Sequence, residues 1–180
     1  MKYIITEDQF EKLNQEDDIL DIDFKLFNHN WILLQKFLYR RGNPPYRIIG
    51  NLDLYEANIE SLGSLIHVRG WLNLHSANIN TLGDLRSVGG DLVMEHSNIK
   101  SLGNLESVGG SLNLNNANVE SLGNLESVGG DLDLYNSNIK SLGNLKSVRG
   151  WLDLQYTPLW VKYKEEDIRQ MVDVKEAILI

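Results

Sequence analysis

The sequence predicts an α/β solenoid: a right-handed coil with one parallel β-sheet along one side, short turns or 3₁₀ segments along the other, and helical segments closing both ends. Three observations carry that expectation. A 20-residue unit recurs from Asn51 to about Trp160, and Ser101–Gly110 and Ser121–Gly130 both read SLGNLESVGG. The rhythm changes inside every unit: Val68, Gly70, Leu72 and Leu74 alternate with the period of a half-buried strand, whereas Ile79, Leu82, Leu85 and Val88 follow at intervals of three, as in a chain wound through short turns. The two flanks carry helical spacing and no repeat.

Taken in chain order, residues 1–46 read as a helical N-terminal cap. Thr6 with Gln9 forms a capping box that opens a short helix over Phe10 and Leu13. A second helix over Phe24–Tyr39 presents Phe27, Trp31, Leu34 and Leu38 on one stripe, and stops at Arg40-Arg41-Gly42 before Pro44-Pro45. The acid run Glu16, Asp17, Asp18, Asp21 and Asp23 reads as a solvated loop between them. Residues 47–160 hold six units, the last truncated to WLDLQYTPLW. One unit buries too little apolar surface to offset its own ordering, so stability comes from faces and hydrogen bonds shared with neighbouring units. An exposed parallel edge invites aggregation, which is why both ends need covering. Residues 161–180 supply the second cover, a helix over Lys164–Val172 followed by a short strand over Ala177–Ile180.

Within each unit the fixed positions read x-L-x-L-x-x-x-N-I-x-S-L-G-x-L-x-x-V-x-G. This pattern resembles a leucine-rich repeat of the shortest class, and its spacing also resembles the receptor L-domain variety. The chain departs from that pattern in one respect. Three residues, not two, separate the second strand leucine from the asparagine, as in Leu74-His75-Ser76-Ala77-Asn78, which predicts a wider corner after the strand. With its helical first segment and its TPL…EEDIRQMV ending, the whole resembles short-period repeat proteins of bacteria and their phages. That resemblance implies an inhibitor of a host or defence protein, acting in the host cytoplasm.

Composition excludes several classes. There is no cysteine, hence no disulfide or thiolate metal site. The net charge is −8, and Asn51–Trp160 holds twelve acids against six bases, so free nucleic acid is not an expected partner. No apolar run reaches the roughly 20 residues of a membrane span, and the start MKYIITEDQF lacks the apolar stretch of a secretory signal. A cytoplasmic protein without membrane contact or cofactor is the expectation; oligomeric state is not legible.

The asparagines Asn58, Asn78, Asn98, Asn118 and Asn138 read as a structural ladder, turned inward to bond the backbone of adjacent coils. Lys100, Glu120 and Lys140 form one charged column on the back, and Arg86, Glu106, Glu126 and Lys146 another. The strand face varies most. Its outward columns run Asn51, Trp71, Asp91, Ser111, Asp131, Trp151; then Asp53, Asn73, Val93, Asn113, Asp133, Asp153; then Tyr55, His75, Glu95, Asn115, Tyr135, Gln155. Arg69 and Arg149 precede Gly-Trp at Trp71 and Trp151, which strands about 4.8 Å apart place roughly 19 Å from each other.

Exposed Trp beside Arg is the composition of a protein-binding hot spot. The residues expected to meet a partner are therefore Tyr55, Arg69, Trp71, Asn73, His75, Asp91, Glu95, Asp131, Asp133, Tyr135, Arg149, Trp151 and Asp153. Carboxylates on adjacent strands repel, which points to a basic patch on that partner protein. Two alternatives use the same face. Trp71, Tyr55, Tyr135 and Trp151 would stack sugar rings in a carbohydrate-binding module, or the acids would mimic nucleic acid. His75 and Glu95 are lateral neighbours, but no nucleophile joins them in a pocket, so no catalytic residue and no enzyme activity are expected.

Overall fold

The computed structural model describes residues 19–180. Its core is a parallel β-solenoid of about five turns with a period near 20 residues. Ahead of the repeats come strand β1 (Leu20–Ile22), a 3₁₀ turn (Phe24–Phe27), helix α1 (Trp31–Tyr39) and strand β2 (Tyr46–Ile48). The repeats contribute β3 (Leu52–Asp53), β4 (Leu65–Val68), β5 (Leu72–Asn73), β6 (Ser87–Val88), β7 (Leu92–Val93), β8 (Ser107–Val108), β9 (Leu112–Asn113), β10 (Ser127–Val128), β11 (Leu132–Asp133), β12 (Ser147–Val148) and β13 (Leu152–Asp153). Helices α2 (Pro158–Lys162) and α3 (Glu165–Met171) and strands β14 (Asp173–Val174) and β15 (Ile178–Leu179) follow.

The expected single sheet is two. Among the described residues one has eight strands in the order β1-β2-β4-β6-β8-β10-β12-β14, the other seven in the order β15-β13-β11-β9-β7-β5-β3, and all pairs are parallel. Alternation survives across both, since Val88, Leu92 and Met94 all point into the core, yet the chain bends between Val88 and Leu92. Glycine makes the bend. A β-carbon on Gly109 would overlap the carbonyl oxygen of Gly89 one coil earlier, and one on Gly110 would overlap the Asp91 carboxylate.

On the back, the path turns at glycines such as Gly83, whose φ of 62° is left-handed. The hydroxyl two residues earlier accepts the glycine N–H in all five units, from Ser61 at 2.9 Å to Thr81, Ser101 and Ser141 at 3.1 Å. The wider corner after the strand is a turn closed by Ala77 N–H donating to the Leu74 carbonyl at 3.0 Å, with Ser76 left-handed at φ 54°. Glu56, His96, Asn116, Asn136 and Tyr156 take the same conformation at the equivalent position.

The asparagine ladder is present but faces solvent, which corrects the inward placement. Asn78, Asn118 and Asn138 donate side-chain N–H to the amide oxygens of Asn58, Asn98 and Asn118 at 3.0, 3.0 and 3.1 Å. The inward place belongs to the residue before each, Ala77, Ser97, Ala117 and Ser137, all buried. The extra corner residue causes this shift of one position, because it reverses which of the two side chains points inward. The charged columns pair as their signs require: Arg86 with Glu106 at 2.9 Å, Lys140 with Glu120 at 2.7 Å and Lys146 with Glu126 at 2.8 Å.

The first flank differs from expectation. The helix over Phe24–Tyr39 is interrupted, because Asn28 and His29 both lie left-handed (φ 49° and 54°) and Asn30 starts α1 afresh by accepting Leu33 N–H at 2.9 Å. Strand β1 falls where the acid run was expected to be a loop: Asp21 pairs with Arg47 at 2.8 Å, and Asp23 caps the 3₁₀ turn by accepting Lys25 N–H at 3.0 Å. Thr6, Gln9, Phe10, Leu13, Glu16, Asp17 and Asp18 lie outside the described residues. At the other end α3 and β15 occupy the spans expected for a helix and a strand. Helix α2, which Thr157 opens by accepting Trp160 N–H at 3.1 Å, is an addition.

Two glycine variants separate sterics from conformational preference. Gly103→Ala meets nothing within 4 Å and carries only the left-handed cost at φ 58°, about 1 kcal/mol. Gly109→Ala overlaps backbone that the ladder holds in place and lowers stability by about 2 kcal/mol or more. Chemical denaturation of both variants ranks the two effects.

Candidate functional site

Strand register places the three outward columns on the seven-stranded sheet as the repeat implies, since Leu52, Leu72, Leu92, Leu112, Leu132 and Leu152 are paired in sequence. Their chemistry is another matter. In the first column the polar side chains reach the next coil's backbone. Asn51 accepts Trp71 N–H at 3.2 Å, Asp91 accepts Ser111 N–H at 2.8 Å, Ser111 accepts Asp131 N–H at 3.0 Å and Asp131 accepts Trp151 N–H at 3.0 Å. These N–H groups sit at the bend, where the ladder leaves them without a carbonyl, and each such side-chain bond contributes about 1 kcal/mol. Gly110 and Gly150 are small so that Asp91 and Asp131 fit against them.

The second column folds back on its own strand. Asp53, Asn73, Asn113, Asp133 and Asp153 accept the N–H of Tyr55, His75, Asn115, Tyr135 and Gln155, at 3.2, 3.0, 2.9, 2.9 and 2.8 Å. Asn73 also donates to Asp53 at 3.1 Å. Carboxylates in this column therefore hold backbone donors, which accounts for their stacking without any partner. Asp153 is 8 % exposed and is withdrawn from any contact surface. Burial raises its carboxyl above the usual range against the Gln155 N–H that lowers it, and the Asp133 charge on β11 raises it further.

The third column carries the remaining chemistry. The rings of Tyr55 and His75 stack with centroids 5.2 Å apart and planes 9° from parallel. His75 Nδ1 lies 3.3 Å from Glu95 Oε2, and His96 Nε2 lies 3.5 Å from Glu95 Oε1. His96 was not expected here; its left-handed backbone swings it beside Glu95, with its ring perpendicular to His75 at 5.7 Å. Among the described residues no group of three His, Cys, Asp or Glu is placed to hold a metal ion. At the far end Tyr135 meets Tyr156 edge-on at 5.1 Å, and Tyr156 meets Trp160 at 4.9 Å. Sequence reasoning missed His96, Tyr156 and Trp160, because the first two follow the column by one residue and only the corner's handedness turns them toward it.

What the fold leaves unused gathers at the N-terminal end of the face. Asp23, Phe24, Lys25 and His29 stand across from Ile49, Gly50, Asn51, Asp53, Tyr55 and Trp71 around a cleft of about 670 Å³. Ile49, Tyr55 and Trp71 are 43, 53 and 38 % exposed. The Arg69 and Arg149 guanidinium groups are exposed and make no hydrogen bond or ion pair among the described residues. Trp151, at the other end, is half-buried, so the two tryptophans are not equivalent. Comparison with known proteins finds no matching family model, no similar curated protein and no similar solved structure. Among the described residues no helix is long and apolar enough to cross a membrane.

Two substitutions test the carboxylates' structural role. Asp91→Ala strands the Ser111 N–H and costs about 1–2 kcal/mol, while Asp91→Asn keeps an acceptor and costs far less. Asp153→Asn keeps the bond to Gln155 N–H and removes a charge that burial disfavours. Because the folded carboxyl titrates above the unfolded one, wild type gains stability as pH falls through the folded value. The variant is therefore the more stable at pH 7, and its advantage shrinks as pH drops toward the ordinary carboxylate range of about 4. Thermal melts of wild type and variant across that range measure the closing gap.

Proposed function

We propose that this chain is a non-enzymatic protein-binding scaffold, and that its contact surface is the cleft between the 3₁₀ turn and the first coil, extended by Arg69. The observation that carries this reading is that Ile49, Tyr55 and Trp71 remain exposed together where most outward residues of the face hold backbone or one another. A large apolar or aromatic side chain exposed beside an unpaired guanidinium supplies contact area with little loss of side-chain freedom. The partner's basic patch loses its main support, since Asp91, Asp131, Asp133 and Asp153 are engaged.

Two finer readings rest on sequence pattern. The G-x-L-x-L spacing supports a short leucine-rich repeat of the receptor L-domain type. The likeness of its flanks to bacterial and phage repeat proteins supports an inhibitor acting in the host cytoplasm. The His75–Glu95 pair lies on the outward strand face beside the exposed Tyr55 ring, which supports a binding role over catalysis.

The test is affinity capture with wild type, Trp71→Ala and Asp133→Asn, read by mass spectrometry. Wild type and Asp133→Asn retrieve the same protein, and Trp71→Ala loses it by at least about tenfold, the scale of a hot-spot truncation. Equal recovery by all three removes the cleft from consideration.

A further inference from the structure

The two sheets end differently at the N-terminal side. Among the described residues strand β1 adds an eighth member to one sheet, but the other stops at β3, because the chain after β1 turns into the 3₁₀ segment Phe24–Phe27 instead of pairing. The edge left behind has a definite pattern. One coil later, the carbonyls of Trp71, Asn73 and His75 accept the N–H groups of Leu52, Leu54 and Glu56, each at 2.9 Å. By the same register the carbonyls of Asn51, Asp53 and Tyr55 and the N–H of Asp53 face away from β5, on the side where no described strand pairs with β3. This row of open groups borders the cleft that carries Ile49, Tyr55 and Trp71.

We propose that the cleft receives an extended segment of a partner protein as the missing eighth strand of this sheet, parallel to β3. The proposal deepens the reading of the cleft as the contact surface and rests on it. The incoming residue opposite Leu52 donates its N–H to the Asn51 carbonyl and accepts the Asp53 N–H; the residues two and four further on donate to the carbonyls of Asp53 and Tyr55. The far end of the same sheet already closes in this way. There β15, a segment outside the repeats, returns to pair with β13, and Leu152 and Leu154 donate to the carbonyls of Ala177 and Leu179 at 2.9 and 2.8 Å. An end strand need not belong to a repeat, therefore, provided it is extended and short.

The cleft also selects side chains. Phe24 is buried at 1 % exposure and lines the inner wall, so residues of the incoming strand that turn inward are small. One face of the Tyr55 ring lies on His75, while the side chain as a whole is 53 % exposed, so an aromatic residue in the third outward position stacks on its open face. The partner segment is thus an alternating one, small inward and polar or aromatic outward.

A synthetic peptide tests this directly. The probe is the sequence of residues 130–136, which pairs within this sheet in the native coil, with alanine in place of both leucines to suit Phe24, added to ¹⁵N-labelled full chain. Saturating peptide slows hydrogen exchange at the Asp53 amide by at least about tenfold, the protection expected of a ladder bond. N-methylation of the two alanines, whose N–H groups face β3, weakens binding by a similar factor. N-methylation of the aspartate between them, whose N–H faces away, leaves it within about threefold. Strand addition is overturned if the peptide does not bind at millimolar concentration, if it binds and leaves Asp53 unprotected, or if both methylation patterns act alike. It is also overturned if Asp53 is protected before peptide is added, which means the slot is filled by this chain itself, or by a second copy when protection grows with protein concentration. Loss of partner capture in Trp71→Ala with any of these outcomes retains the cleft and discards only the strand mode.

Discussion

Every coil must hand its backbone hydrogen bonds to the coils on either side, and the structure follows from how that requirement is met at the bend. Along the straight stretches the parallel ladders suffice. Where the chain passes from the eight-stranded to the seven-stranded sheet, the N–H of the first outward residue has no carbonyl to meet, and a side chain of the preceding coil takes that place, as Asp91 does for Ser111. The glycine before Ser111 is small because that carboxylate lies against it. One orphaned donor thus fixes an acidic or amide residue in one unit and a glycine in the next, and the 20-residue period keeps both in register.

This constraint changes what the outward face means. A column of Asp, Asn and Ser suggests a surface kept polar for a partner, and stacked carboxylates suggest a countercharge. Both features arise here from backbone satisfaction, first across coils and then within the strand, where Asp133 and Asp153 hold the N–H groups of Tyr135 and Gln155. Side chains that answer to no such demand include Ile49, Tyr55, Arg69 and Trp71 at one end, and Tyr135, Tyr156 and Trp160 at the other. Trp71 makes the rule visible by departing from it, since it occupies the first column and offers no acceptor to the coil after it.

The corner after the strand shows how far one residue can shift a reading. An extra position between Leu74 and Asn78 is plain in the sequence, and so is the wider turn it implies. Its consequence for direction is not, because φ is a backbone choice that Ser76, His96 and Tyr156 do not announce. That choice turns Asn78 outward, seats Ala77 and Ser97 in the core, and brings His96 to Glu95. The first flank teaches the same lesson: the helical stripe from Phe27 to Leu38 is real, but Asn28 and His29 break it where pairing of β1 with β2 sets the chain's direction.

By itself the sequence determined the period, the coil, the inward leucines and the columns that share a face, because each depends on hydrophobic spacing that is local and repeats. Only the tertiary structure decided that the coil carries two sheets, that most outward carboxylates serve the backbone, and that the exposed aromatics border a strand edge with no partner strand among the described residues. Those facts concern which hydrogen-bonding groups are left over once neighbouring coils have met, and a leftover group is defined by its surroundings and not by its residue type.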